Sequence, residues 1–137
     1  MKKRTPVSKI MSTDIAVVNI TQSIKDVSEI IDNRNVRHVP VVSGDEVVGM
    51  MSKTDLQKIS FVNNMEGDNI STTMYEILSI EQVMTKDLMT VQSSDTIQQV
   101  ATILSENEFH ALPVIEDGKM VGIVTTTDLI KYLVEQF

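Results

Sequence analysis

Three features of the sequence predict an α+β fold built from two similar units. The 137 residues align with themselves at a shift of 73, so that residues 11–56 match residues 84–129 without a gap. Each copy contains two apolar runs separated by a short turn with Asp and Gly, which is typical of a β-hairpin. Each copy also contains two stretches whose apolar residues fall on one helical face. We therefore expect two small sheets packed face to face with flanking helices, related by a pseudo-twofold axis.

The first half of each copy predicts a strand followed by a capped helix. Apolar and β-branched residues predict extended segments over 15–20 and 88–92. Ser23-Ile24-Lys25-Asp26 and Thr96-Ile97-Gln98-Gln99 have the pattern of a capping box, which marks the start of a helix. The apolar residues that share one face of each predicted helix are Ile24, Val27, Ile30 and Ile31 in the first copy and Ile97, Val100, Ile103 and Leu104 in the second.

The second half of each copy predicts a hairpin followed by another helix. The predicted strands and turns are 39–42, Ser43-Gly44-Asp45 and 47–51 in the first copy, and 112–115, Glu116-Asp117-Gly118 and 120–124 in the second. The second helix begins at Ser52 or Thr125. In the second copy its predicted apolar stripe consists of Leu129, Ile130, Leu133 and Val134. Residues 59–80 match neither copy, and we expect a polar loop over 63–73 within them.

Composition excludes several classes of function. The net charge is −7, and aromatic residues make up 4% of the chain, so neither phosphate-backbone binding nor base stacking on nucleic acid is expected. Without cysteine there is no thiolate nucleophile or cysteine metal site, and neither histidine has a second one at ligand spacing. No apolar run is long enough for a signal core or a membrane span, so we expect a cytoplasmic protein. No hydrolase or P-loop motif occurs.

Two related motifs place hydroxyls and a carboxylate at the predicted start of the second helix. They are GMMSKTDL at 49–56 and GIVTTTDL at 122–129. Free N–H groups at a helix start favour an anion such as phosphate. The carboxylates of Asp55 and Asp128 add acceptor oxygens at the same place, which could receive hydroxyl groups of a ligand. The same residues also fit a capping box without any ligand, and the sequence leaves both roles open.

The motifs together resemble the cystathionine-β-synthase (CBS) domain. In both copies, Met-Ser/Thr-x-Asp, then Pro-Val, then Gly followed by Ser/Thr-x-x-Asp-Leu occur in the same order and spacing. Two such domains in tandem resemble the pair called a Bateman module, over residues 7–134. We assign residues 1–62 to the first repeat, 63–78 to a linker and 79–137 to the second repeat.

The resemblance implies a regulatory module rather than an enzyme. Members of the family bind adenosine-containing ligands such as AMP, ADP, ATP or S-adenosylmethionine in clefts between the paired repeats. Such a ligand is a regulator and not a required cofactor. Magnesium would be present only where it binds to the phosphates of the ligand. The resemblance also implies a homodimer. Because the two repeats fill the given sequence, we expect either an effector that is a separate protein or action through a change in the protein's own assembly.

The resemblance assigns expected roles to residues in both copies. Asp55 and Asp128 would hold the ribose, and Ser52 and Thr125 would face phosphate. Thr54 and Thr127 are equally compatible with a structural role, and Arg37, His38 and His110 are either phosphate contacts or solvated polar groups. For the adenine, the expected contacts lie near Ala16 and Met89 and against Val36, Pro40, Phe109 and Pro113, most of which core packing would explain equally well.

The two copies differ in charge where phosphate would bind. Lys53 in the first copy corresponds to Thr126 in the second, and Arg37 corresponds to His110. We therefore expect the first copy to suit a di- or triphosphate and the second copy to suit fewer charges or none. The competing hypothesis is a structural or dimerisation module without a ligand, in which the polar motifs only cap helices and helical faces contact another protein.

Overall fold

The protein divides into two compact units that do not coincide with the two sequence repeats. The structure, a computed structural model, describes residues 4–66 and 76–137, with side chains described at 4–59 and 76–137. The first unit is Ala16–Leu88, and the second unit combines Met1–Ile15 with Met89–Phe137. Most of the predicted polar loop over 63–73 lies outside the described residues.

The sheet of the first unit has three strands in the order β1-β2-β3. Strand β1 (Val18–Asn19) runs parallel to β2 (His38–Ser43), and β2 pairs antiparallel with β3 (Glu46–Ser52). Helix α1 (Ile24–Arg34) connects β1 to β2, as a parallel pair requires a crossover. Helix α2 (Lys53–Glu66) follows β3 directly.

The second unit has the same sheet in the order β4-β5-β6. Its strands are β4 (Val91–Gln92), β5 (Ala111–Glu116) and β6 (Lys119–Thr125), with the same parallel and antiparallel pairing. Its helices are α4 (Ile97–Glu106) and α5 (Thr126–Glu135). The hairpin turn uses Asp117 at φ 52° and Gly118 at φ 79°, the two positive φ values that a type I′ turn requires.

The predicted capping boxes begin α1 and α4. Ser23 and Asp26 exchange side-chain and main-chain hydrogen bonds of 3.0 and 3.1 Å, and Thr96 and Gln99 do the same at 2.8 and 3.1 Å. The apolar faces of both helices lie in the core, as predicted. The buried residues are Ile24, Val27 and Ile31 in α1 and Ile97, Val100 and Leu104 in α4.

Each unit is completed by a segment that precedes the other repeat in sequence. In the second unit, the N-terminal closing segment (residues 5–12) contains a short 3₁₀ helix (Val7–Lys9) and pairs Ser12 with Ile123 of β6. In the first unit, the linker closing segment (residues 79–85) contains α3 (Ile80–Val83) and pairs with β3 in the same way. The two segments are equivalent in the internal repeat, and Val7 and Ile80 at corresponding positions are both fully buried.

A methionine of each closing segment packs against a glycine of the adjacent strand. A Cβ at Gly122 would lie 2.5 Å from Sδ of Met11 and 3.0 Å from the carbonyl oxygen of Ser12. A Cβ at Gly49 would overlap Sδ of Met84. The absence of a side chain on each glycine therefore makes room for the thioether.

One expectation about local structure differs from the structure. The extended segments predicted over 15–20 and 88–92 form strands of only two residues each, because β1 and β4 pair with one neighbour through just two residues. The predicted apolar stripe lies on α5 and is largely exposed. Leu129 packs against the core, but Ile130, Leu133 and Val134 are 56%, 43% and 66% exposed.

Candidate functional site

The candidate site in each unit lies at one edge of the sheet. In the first unit, β2 begins opposite the end of β3, with His38 paired to Ser52. Strand β1 is parallel to β2, with Val18 opposite Val41, so the residues before β1 approach the same edge. Helix α2 starts there without a loop. Three chain segments thus meet at this edge.

A main-chain hydrogen bond at this edge joins the first residue of α2 to the residue that precedes β2. The N–H of Lys53 donates to the carbonyl oxygen of Arg37 at 2.8 Å. In the second unit, the N–H of Thr126 donates to the carbonyl oxygen of His110 at 2.9 Å. The structure therefore brings together the predicted basic positions and the predicted helix starts, which are 16 residues apart in sequence.

The aspartate of each motif closes a capping box. The N–H of Ser52 donates to Oδ2 of Asp55 at 2.8 Å, and the N–H of Asp55 donates to Oγ of Ser52 at 3.1 Å. Thr125 and Asp128 form the same pair of bonds at 3.0 and 3.1 Å. All four residues are part-buried, so the boxes fix the side chains in one orientation. The structural role that the sequence left open is thus present.

The capping box uses only one oxygen of each carboxylate. Among the described residues, neither Asp55 nor Asp128 receives a hydrogen bond on Oδ1. A carboxylate has about four lone-pair sites, so each oriented aspartate keeps acceptor capacity beyond the cap. Capping and ligand binding are therefore chemically compatible in the same residue.

The first unit carries two positive side chains at this edge. Arg37 and Lys53 are both exposed, and within the described part of the chain neither forms an ion pair. The main-chain bond between them places the two cationic residues side by side at this edge. They stand beside the carboxylate of Asp55, so the edge carries charges of both signs, and the two cations are the groups available to an anion.

The second unit lacks these permanent charges. Thr126 and His110 occupy the equivalent positions, and the hydroxyl of Thr126 also donates to the carbonyl oxygen of His110 at 3.4 Å. Two large apolar side chains are exposed in this unit near the same edge: Met89 is 46% exposed and Phe109 is 36% exposed. At the corresponding positions the first unit has the smaller Ala16 and Val36, both part-buried.

The remaining predicted residues fall into two groups. Thr54 and Thr127 lie exposed in the first turn of α2 and α5, and within the described residues their hydroxyls form no hydrogen bond. Pro40 and Pro113 are buried within β2 and β5, a position that fits core packing. Sequence reasoning missed Val17, which is 40% exposed beside Ala16, because an apolar residue next to a strand gave no signal for exposure.

The described ranges 4–66 and 76–137 contain neither a cluster of metal ligands nor a membrane-spanning helix. No group of three His, Cys, Asp or Glu side chains there could hold a metal ion. No helix in those ranges is both long and apolar enough to span a bilayer.

Comparison with known proteins identifies related sequences. The family model of the CBS domain matches residues 7–61 and 80–135. Protein MJ1225 of Methanocaldococcus jannaschii is 30% identical over 129 residues, which cover 89% of this chain and 45% of that protein. A homoserine O-acetyltransferase of Methanobrevibacter ruminantium is 28% identical over 132 residues, covering 96% of this chain. The chain spans only 24% of the acetyltransferase, and less than half of either relative.

Solved structures share the fold. The crystal structure of MJ1225 superimposes with a TM-score of 0.82 at 26% identity, covering 97% of this chain and 49% of that one. The CBS domain pair of protein MJ0100, in complex with 5′-methylthioadenosine and S-adenosylmethionine, gives 0.80 at 24% identity, with coverage of 97% and 98%. CBSX2 in complex with AMP gives 0.79 at 23% identity, with coverage of 96% and 98%.

Proposed function

Because this chain belongs to the CBS domain family, we propose that it is a regulatory module that senses an adenosine-containing nucleotide and signals to a partner protein. One observation carries this proposal: each unit holds an aspartate whose cap fixes Oδ2 and leaves Oδ1 as an acceptor at a helix start. A structural cap needs only one oxygen. The arrangement occurs in both units at equivalent positions, Asp55 and Asp128.

Each part of a nucleotide has a suitable group at this edge of the sheet. The ribose hydroxyls would donate to Asp55 or Asp128. Phosphate would accept from the hydroxyls at the start of α2 or α5, which belong to Ser52 and Thr125 and, one residue before the aspartate, to Thr54 and Thr127. The adenine would contact the apolar residues of the edge, with Met89 and Phe109 giving the second unit the larger exposed surface.

The ligands named in two structures of the same fold support an adenosine ligand. The MJ0100 domain pair is described in complex with 5′-methylthioadenosine and S-adenosylmethionine, and CBSX2 with AMP. These ligands share the adenosine moiety and differ in charge. We propose the same class of ligand for this chain.

The charges of the two units support different ligands for each. Arg37 and Lys53, with His38 beside them, suit ADP or ATP in the first unit, with or without magnesium. Thr126 and His110 in the second unit suit AMP or S-adenosylmethionine, which carry less negative charge.

We propose that the protein acts by binding and not by catalysis, as a cytoplasmic homodimer that contacts a separate effector protein. Its matches to homoserine O-acetyltransferases extend over only about a quarter of the length of those enzymes. A ligand would alter the effector only to the extent that it binds one conformation of the module more tightly than another.

A thermal-shift series tests the ligand class. The wild-type chain is heated with AMP, ADP, ATP, S-adenosylmethionine and 5′-methylthioadenosine, with and without magnesium, and with guanosine nucleotides as matched controls. A ligand at about a hundred times its dissociation constant stabilises the folded state by about 2.7 kcal/mol, which raises Tm by several degrees. A rise with adenosine compounds but not with guanosine compounds supports the proposal. Unchanged melting with every compound contradicts it.

A second candidate function is a protein-interaction module without a ligand, favoured by the exposed apolar residues of α5. Ile130, Leu133 and Val134 of α5 are 56%, 43% and 66% exposed, and Phe137, which follows the helix, is 97% exposed. Light scattering of wild type and Leu133→Ser distinguishes the candidates when combined with the melting series. Loss of self-association in the variant, together with no nucleotide response in the wild type, would select the interaction module.

A further inference from the structure

The methionines of the described residues differ in their exposure to solvent. Two are part-buried, Met11 and Met120, and three are buried, at 6%, 0% and 8% exposed: Met50, Met51 and Met84. Met89 is 46% exposed, which is the largest fraction among the methionines that the structure describes. Oxidation of a thioether requires that the oxidant reach the sulfur, so Met89 is the member of this set that reacts first.

Met89 lies directly before β4, at the edge of the sheet that carries the candidate site. Strand β4 runs parallel to β5 and pairs with its residues 114–115, so the residues before β4 lie beside the start of β5. At that start Ala111 pairs with Thr125, which caps α5. Phe109, two residues before β5, is 36% exposed. Met89 is therefore one of two exposed apolar side chains at the edge where we propose that adenine binds.

The first unit has no oxidisable group at the equivalent positions. Ala16 corresponds to Met89 in the repeat alignment, and Val36 corresponds to Phe109. Both are part-buried, and neither side chain contains sulfur. An oxidant that reacts with Met89 therefore changes the edge of the second unit and leaves these two positions of the first unit unchanged.

We propose that Met89 is a reversible oxidation site that controls binding of the adenosine ligand at the second unit, an inference that rests on the proposed function. The oxidant is hydrogen peroxide. The sulfur lone pair attacks one peroxide oxygen, the S–O bond forms as the O–O bond breaks, and a proton shift leaves methionine sulfoxide and water. The sulfoxide is polar where the thioether is apolar, and methionine sulfoxide reductases restore the thioether. A sulfoxide oxygen covered by an adenine ring loses its hydration, so the oxidised site binds the ligand more weakly.

Protection by the ligand tests whether Met89 lies in the binding site. The full chain is treated with hydrogen peroxide, and the rate of oxidation at each methionine is followed by peptide mass. Met89 should react before Met11 and Met120. Saturating AMP should slow the reaction at Met89, whereas guanosine monophosphate should not. Met120 is the internal control, because it pairs with Ile115 near the hairpin turn, at the other end of the sheet, and AMP should leave its rate unchanged.

Calorimetric titration with AMP after removal of the peroxide tests control of binding. A chain with Asp55→Asn reports mainly on the second unit, and a chain with Asp128→Asn reports mainly on the first. Oxidation should weaken AMP binding by roughly tenfold in the Asp55→Asn chain, which is the order expected for loss of one apolar contact. It should have no effect in the Asp128→Asn chain. Adding Met89→Leu to Asp55→Asn should make the affinity equal before and after treatment, because leucine is apolar and is not oxidised while every other methionine remains.

The outcomes separate this inference from the proposed function. AMP binding that is unchanged when Met89 is fully oxidised overturns the inference alone, as does oxidation of Met89 that is slower than that of Met11 and Met120 or is not slowed by bound AMP. An equal loss of affinity on oxidation of the chains with and without Met89→Leu also overturns it, because another methionine is then responsible. Failure of AMP to bind the untreated wild-type chain overturns both the inference and AMP as a ligand.

Discussion

Replacement of Gly49 by alanine should destabilise the first unit through a single contact. Alanine normally stabilises a strand relative to glycine by roughly 0.5–1 kcal/mol. At this position its Cβ would overlap Sδ of Met84 and lie 2.9 Å from Cγ, and Met84 is only 8% exposed. Forcing a buried side chain into a new rotamer costs about 1–3 kcal/mol. We therefore expect a net loss, which corresponds to a fall in Tm of roughly 3–5 °C per kcal/mol for a chain of this size.

A double-mutant cycle measured by urea unfolding isolates this contact. Met84→Ala alone should cost about 2–5 kcal/mol through the cavity it leaves. The three atoms nearest to the new Cβ all belong to Met84, so Gly49→Ala should cost little in the Met84→Ala background. The expected coupling is about 1–3 kcal/mol. Gly44→Ala is the control, since no atom lies near its Cβ and its cost arises from a φ of 63°. If the cost of Met84→Ala adds to that of Gly49→Ala as fully as it adds to that of Gly44→Ala, the reasoning is refuted.

Two further predictions concern charge. Lys53→Thr should weaken ATP binding by about tenfold and leave binding of the uncharged 5′-methylthioadenosine unchanged, whereas Thr126→Lys should strengthen ATP binding at the second unit. Calorimetric titration measures both effects. An equal effect of a substitution on the two ligands would count against a phosphate contact. Asp26 has a pKa below its ordinary value because the backbone and hydroxyl of Ser23 hydrogen-bond to its carboxylate. The contribution of the Asp26 carboxylate to stability is present above its unfolded pKa and is lost as pH falls through its lower folded pKa. The difference in unfolding free energy between wild type and Asp26→Asn, measured with urea, should therefore shrink below about pH 4. A difference that does not change with pH would contradict a role of the ionised carboxylate.

The sequence was sufficient for the local elements because their signals are local. The hairpin over 111–125 follows from two apolar runs, one on each side of Asp117-Gly118. The cap at Thr125 follows from the aspartate three residues later. These features depend on residues that are close in the chain, so pattern and turn chemistry predict them directly.

The closing segments could not be predicted from the same patterns. The repeat alignment shows that Met11 and Met84 are equivalent and that Gly49 and Gly122 are equivalent, but not which methionine contacts which glycine. Sequence order suggests a contact within each repeat, between Met11 and Gly49 and between Met84 and Gly122. The structure pairs Met84 with Gly49 and Met11 with Gly122, and no local propensity distinguishes the two arrangements.

The sequence predicted the capping boxes at the candidate site but not which carboxylate oxygen they leave without a hydrogen bond. The sequence offered capping and ribose binding as alternatives for Asp55. The structure shows a cap through Oδ2, and only the geometry reveals that Oδ1 receives no hydrogen bond from the described residues. The apolar pattern of α5 left its contact open, because periodicity does not distinguish a partner within the chain from a partner outside it, and the structure shows the stripe largely exposed.

The central claim is that Asp55 and Asp128 bind a nucleotide beyond capping a helix, and calorimetric titration of three asparagine variants tests it most directly. Asparagine keeps one oxygen for the cap and replaces the second acceptor by a donor. Asp26 forms the same capping box on α1 and is the matched control. With AMP, ATP or S-adenosylmethionine as titrant, Asp55→Asn or Asp128→Asn should weaken binding by roughly tenfold or more, and Asp26→Asn should bind like wild type. Equal affinity in all three variants, or no binding to the wild type, would contradict the account.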